Sequence, residues 1–202
     1  MIEKLRRFLP INSYITLFIS YLIGSIMFGY ITSKFFGKID LREEGSGNVG
    51  ARNAGRLLGK KVFILTVLGD ASKGALVIYI GKLLQFSSEM ILLMFLFVII
   101  GHIFPITLKL RGGKGFTTFC GAFLTFDPLL FLIFTCLFFI LFLISRSSTI
   151  AAMAALYVTP FLLMVFHYSY WCCIVFIFIS QLIIWAHRSN IKERLLQLEL
   201  SK

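Results

Sequence analysis

The feature that most limits what this chain can become is its division into long apolar runs, separated by one extended polar interval (residues 34–61) and a short basic, glycine-rich one (residues 109–115). A run of about 20 apolar residues is what a helix needs to cross a bilayer. The runs are continuous rather than alternating, which favours helices that satisfy their own backbone over the strands of a barrel. Composition agrees: 58% of the 202 residues are hydrophobic and 23 are Phe, well above an ordinary soluble domain. The expected fold is an all-α, polytopic membrane protein, with residues 1–202 forming a single domain.

The runs divide into about seven spans, near residues 11–33, 62–84, 90–108, 116–127, 128–144, 150–166 and 170–186. The fourth is short. It is cut from the fifth at Asp127-Pro128, because proline after aspartate favours a turn over a continued helix. Trp171 and Trp185 stand near the two ends of the last span, as interfacial anchors tend to. The segment after Ala186 resembles a short amphipathic helix with Ile191, Leu195, Leu196 and Leu198 to hold against the membrane. The first run continues past a signal-peptide core without a small-residue cleavage site, so it is expected to be a retained span.

Charge placement supports this count. Lys34, Lys38, Arg42, Arg52, Arg56, Lys60, Lys61, Lys109, Arg111, Lys114, Arg146, Arg188, Lys192 and Arg194 all fall on one side of a seven-span arrangement, which the positive-inside rule makes cytoplasmic. Lys4, Arg6 and Arg7 are the exceptions. The net charge of +11 therefore points to membrane topology and anionic ligands or headgroups, not to nucleic acid. Cys120, Cys136, Cys172 and Cys173 lie in apolar runs without zinc spacing, so neither a disulfide framework nor a metal is expected.

Four polar elements gather on that face. In Gly45-Ser46-Gly47-Asn48-Val49-Gly50, glycines let amides converge on an anion; Ser46, Asn48 and Asn53 add donors, and Arg56 can grip a phosphate with paired N–H groups. The frame of a Walker loop is absent. In Gly112-Gly113-Lys114-Gly115, three glycines bare the backbone around one lysine just before a helix start. The third element is the link Arg146–Thr149. The fourth is His187 with Asn190, three apart and so on one helix face, where His187 acts as a base or as a hydrogen-bond donor to substrate. Asp70 and Lys73 share a face inside a span and either neutralise each other or organise the site. His102 reads as a packing residue rather than a catalyst. No nucleophile elbow or Ser-His-Asp set appears, so the implied chemistry is phosphate handling without a covalent intermediate.

These motifs together resemble the bacterial acyl-phosphate:glycerol-3-phosphate acyltransferases. Ser46-Gly47-Asn48-Val49-Gly50-Ala51-Arg52-Asn53 with Arg56 is similar to the family's first signature. Gly101-His102-x-Phe104-Pro105 with Gly112-Gly113-Lys114-Gly115 is similar to its second, and His187-Arg188-x-Asn190-Ile191 to its third; Asp70-x-x-Lys73-Gly74 fits as well. The resemblance implies acyl transfer from acyl phosphate to the 1-hydroxyl of sn-glycerol 3-phosphate, giving lysophosphatidic acid and phosphate, in the first acylation of bacterial phospholipid synthesis. It implies no cofactor, a place in the bacterial inner membrane with the active site facing the cytoplasm, and a functional link to the soluble enzyme that makes acyl phosphate. By position, Ser46 and neighbouring loop amides (Gly47, Asn48, Gly50, Asn53) would hold the donor phosphate. Arg56, Lys114, His187 and Asn190 would hold glycerol 3-phosphate, with Gly112, Gly113 and Thr149 as further contacts. Thr149 stands where the family often has a serine, and Arg52 where threonine is common. Gln197-Leu198-Glu199 lacks the usual glycine before glutamate.

Two other classes suit parts of this pattern. A carrier for a phosphorylated solute would use basic, glycine-rich loops, but such proteins tend to place the site at the midplane between repeated halves, and no internal repeat is visible. A non-catalytic membrane scaffold leaves the order of the motifs unexplained.

Overall fold

A computed structural model describes residues 13–200, with side chains to Gln197. Lys4, Arg6, Arg7 and the Leu198–Glu199 side chains, which entered the reading above, lie outside it. The described residues form ten α-helices and no strand: α1 Ser13–Gly24, α2 Phe28–Gly37, α3 Ala51–Leu58, α4 Lys60–Leu83, α5 Ser88–Ile103, α6 Phe116–Phe126, α7 Pro128–Ser145, α8 Ser148–Val165, α9 Tyr170–Ala186 and α10 Arg188–Leu200. They divide into two compact units at Phe126/Asp127.

The all-helical membrane architecture is as expected, but the count differs. Five stretches are long and apolar enough to span: Ser13–Gly37, Lys60–Leu83, Ser88–Leu108, Pro128–Ser145 and Ser148–Val165. A sixth arises if α9 and α10, bent by 58° at His187, are taken together. The expected fourth span, α6, is only 11 residues, about half the length a bilayer core requires. The first span is also two helices rather than one, and the polar interval, read as a loop throughout, contains α3.

In the first unit the helices meet through glycines. A Cβ on Gly24 would collide with the Val98 carbonyl, and one on Gly101 with the Tyr21 carbonyl, so α1 and α5 cross backbone to backbone. Gly74 and Gly121 do the same for α4 and α6, against Thr118 and Ala71. Small residues are what allow such approach where lipid supplies no hydrophobic drive. The carbonyls at the break between α1 and α2 have donors. The Gly24 and Ile26 carbonyls accept from Lys73 Nζ at 2.8 and 2.6 Å, and the Ser25 carbonyl from Thr107 Oγ1 at 2.9 Å.

In the second unit side-chain caps set the helix starts. Asp127 Oδ1 accepts from the Leu129 and Leu130 amides at 3.0 Å, with Pro128 opening α7. Its Oδ2 accepts from Tyr168 Oη at 2.8 Å. Burial and this bond to a carboxylate both push the Tyr168 phenol above its usual range. Ser147 and Ser169 cap α8 and α9.

Candidate active site

The first unit brings the two glycine loops together. Leu41 and Val49 of the first loop, Ala54 of α3, Val62 of α4 and Leu108, in the turn before the second loop, form one buried apolar cluster. Arg42 is the polar link. Its Nε and Nη2 fork onto Asp40 at 3.0 and 2.6 Å, and Nη1 donates to the Leu108 carbonyl at 3.3 Å. The guanidinium fork holds the Asp40 carboxyl down at about 2, against the opposing effect of burial. Sequence reasoning had counted Arg42 only as a topology charge. The Asp40-x-Arg42 spacing ahead of the loop was the available signal.

The first loop turns at Gly45 and Gly47, with φ of +59° and +69°, a region that side chains with a Cβ disfavour. Ser46, Gly47 and Asn48 are brought to the surface or partly covered by this turn, and the carboxamide nitrogen of Asn48 lies over Gly50. Gly50 caps α3 without any side-chain hydrogen bond. The first amides of that helix thus lack intrahelical acceptors and its positive dipole end faces the loop. Arg52 and Arg56, four apart, share the exposed face of α3.

Asn53 has a different place from the one expected of a ligand. It is 3% exposed. Its Oδ1 accepts from the Ser46 amide at 3.0 Å, and its Nδ2 donates to the Leu41 and Glu44 carbonyls at 3.3 and 3.0 Å. Asn53 is the staple of the loop, and the Ser46 amide is occupied by it. The Gly47 amide is likewise bonded to the Glu44 carbonyl at 3.1 Å.

The second loop departs from expectation in the same way. The Gly112 and Gly113 amides are not bare. They donate to the Ile103 and His102 carbonyls at the end of α5, at 3.2 and 3.1 Å. Both glycines are needed for closeness: a Cβ on Gly112 would strike the His102 carbonyl, and one on Gly113 the His102 ring. Lys114 follows, half-buried, directly before α6.

The second unit holds the remaining residues. Thr149 is buried in the first turn of α8. His187 sits at the α9–α10 bend, and Asn190 is in the first turn of α10, a helix that packs against α8. His187 Nδ1 is 2.9 Å from the Ile183 carbonyl. A carbonyl only accepts, so Nδ1 carries the proton, and in the neutral ring Nε2 is the nitrogen with acceptor capacity. A recess of about 350 Å³ beside this bend is lined by Ile184, Trp185, Arg188, Ile191, Lys192, Leu195 and Leu196. Its walls are mostly apolar, with Arg188 and Lys192 among them, and include neither His187 nor Asn190.

Broken and bent helices, glycine crossings and a pair of interlocked polar loops define a multi-pass helical membrane protein. Comparison with known proteins narrows the class. The sequence profile of the glycerol-3-phosphate acyltransferase family matches residues 14–197. A Glycerol-3-phosphate acyltransferase 1 of Bacillus thuringiensis subsp. konkukian is 42% identical over 180 residues, covering 88% of this chain and 99% of that protein. A glycerol-3-phosphate acyltransferase of Methylobacillus flagellatus is 36% identical over 185 residues, covering 91% and 94%. The crystal structure of PlsY (YgiH), an integral membrane glycerol 3-phosphate acyltransferase, in its glycerol 3-phosphate form, superposes with a TM-score of 0.82 at 34% identity, covering 92% of each chain. Its lysophosphatidic acid form gives 0.79 at 33% identity, with the same coverage. The chain belongs to the glycerol-3-phosphate acyltransferase family.

Proposed function

We propose that this protein acylates glycerol 3-phosphate, taking the acyl group from acyl phosphate and releasing lysophosphatidic acid and phosphate. The observation that carries the reading is the interlocking of the two signature loops through Leu41, Val49, Leu108 and Arg42. That contact ties the loop before α3 to the turn before the Lys114 loop within one unit, which supports a shared anion site. Two anionic substrates repel, so their approach needs fixed positive charge and oriented amides, and these stabilise charge as it shifts to the leaving phosphate. In this reading Ser46, Asn48 and the amides at Gly50 and the start of α3 hold the donor phosphate. Arg56, Lys114, His187 and Asn190 hold the acceptor, with Thr149 as a further contact. His187 Nε2 accepts a hydrogen bond from the acceptor, and the departing phosphate itself takes the hydroxyl proton. The reaction then needs no protein nucleophile and no cofactor. The whole chain acts as one catalytic domain in the bacterial inner membrane, with these loops on the cytoplasmic side.

The broken first span would also suit a solute carrier, where unwound carbonyls coordinate cargo. Here Lys73 and Thr107 already occupy the carbonyls of Gly24, Ser25 and Ile26, which speaks for the enzyme. The test gives purified protein acyl phosphate and labelled glycerol 3-phosphate. Labelled lysophosphatidic acid is the expected product; solute uptake into vesicles without product would overturn the reading. Lys114→Ala and Arg56→Ala are each expected to lower turnover by about 100-fold with insertion intact, and near-normal turnover in Lys114→Ala would remove it from the site.

A further inference from the structure

The reading above leaves unused the most heavily charged part of the first unit's interior. Asp70 and Lys73 of α4 and His102 of α5 are each no more than 3% exposed, and Thr118 of α6 is fully buried. Lys73 Nζ lies 3.2 Å from Asp70 Oδ1, and His102 Nδ1 lies 3.8 Å from the same oxygen. That oxygen makes no hydrogen bond of good geometry, so Lys73 is held to it by charge, while the His102 ring lies beside it and takes its orientation from Thr118 instead. His102 Nδ1 is 3.0 Å from Thr118 Oγ1.

Apolar side chains would pack these helices at lower cost. Replacing a buried ion pair by apolar groups is often neutral or stabilising, and charge inside a span is expensive. A cluster of this kind is best explained by something that packing alone does not supply, which is direction. One end of it is fixed to the α1–α2 break, through the two carbonyls that Lys73 binds. The other end is the imidazole, pinned at Nδ1 by Thr118. The far edge of that ring lies against Gly113, so close that a Cβ there would strike Nε2. The backbone on either side of the contact is tied down by the Gly112–Ile103 and Gly113–His102 hydrogen bonds.

We propose that Asp70, Lys73, His102 and Thr118 are positioning residues whose buried network sets the Gly112–Gly113 backbone against the His102 ring and thereby places Lys114 for the acceptor phosphate. The proposal rests on the assignment of Lys114 to glycerol 3-phosphate. None of the four touches substrate. Each acts through the loop.

Thr118→Val tests this with little change of volume, because it removes only the hydroxyl that orients the ring; Thr118→Ser restores a hydroxyl. Lys73→Met is the second variant. Three quantities are measured on purified full-length protein: KM and kcat for glycerol 3-phosphate, the thermal midpoint, and amide hydrogen exchange over residues 109–116. In Thr118→Val we expect KM to rise at least about fivefold with kcat within about twofold, and Thr118→Ser to return KM to near normal. Exchange over the loop is expected to quicken at least about fivefold in both Thr118→Val and Lys73→Met, while residues 60–66 keep their protection. Lys114→Ala is assayed in parallel. Unchanged loop exchange overturns the proposal whatever the kinetics, including the case where Lys114→Ala remains active and the acceptor-site assignment itself fails. Faster loop exchange with unchanged KM, in a protein that Lys114→Ala inactivates, also overturns it, because the loop then moves without consequence for the acceptor.

Discussion

Two spans of nearly equal apolarity have opposite surroundings. In Ser88–Leu108, which contains α5, 61% of the most apolar window is buried inside the protein; in Pro128–Ser145, which is α7, the figure is 11%. Hydropathy does not separate them. What does is the few residues that are not simply greasy. The Ser88–Leu108 span carries Gly101, His102 and, after α5 ends, Thr107, and each is consumed by a contact to the backbone or a side chain of another segment. The body of α7 is mostly Leu, Phe and Ile; Thr135 bonds within its own helix, and the other polar contacts lie at its ends. A span that faces lipid needs only to be apolar. A span at the centre needs places where backbones touch.

That contrast can be broken most severely at Gly101. Gly101→Leu puts a side chain into the Tyr21 carbonyl, a backbone atom that cannot swing aside. The expected cost exceeds about 4 kcal/mol, seen as loss of monodisperse folded protein in detergent. A smaller effect is expected at Arg42. Asp40, held at about 2 in the folded chain, has an unfolded value of about 3.9. Its contribution is therefore complete above about pH 4 and is lost as pH falls toward 2. Arg42→Ala should cost about 1–2 kcal/mol near neutrality and flatten the acid limb of a stability–pH profile between about pH 4 and 2; an unaltered limb would show the fork to be idle. Thr107→Val, which leaves the Ser25 carbonyl without its donor, should lower stability by about 1 kcal/mol in chemical denaturation. On the lipid-facing side, Leu143, 77% exposed, should accept alanine within about 0.5 kcal/mol. A large loss there would mean that α7 has a protein partner.

Much of this was legible because it is local. Apolar runs and the break at Asp127-Pro128, where α7 starts, depend on neighbours within a few residues. The close crossings at Gly24, Gly74, Gly101 and Gly121 each meet a carbonyl far along the chain. What escaped was long-range. Asn53 looked like one more donor for a ligand, and only the fold shows its three polar contacts turned inward to the loop. Gly112 and Gly113 looked like bare amides until α5 supplied their acceptors. The break in the first span was invisible for the same reason. Nothing in Gly24-Ser25-Ile26-Met27 states that a lysine 47 residues later will bind its carbonyls.

That last arrangement bears on how the chain is made. Exposed carbonyls are intolerable in hydrocarbon, and those of the first span are covered by Lys73 and Thr107, which a ribosome delivers later. The break is therefore expected to reach this bonded form only once α4 and the end of α5 have followed, with the third hydrophobic stretch completing the first. Cysteines placed at 25 and 107 should form a crosslink only in nascent chains long enough to have released both; a normal break in chains stalled before residue 70 would refute this order of assembly.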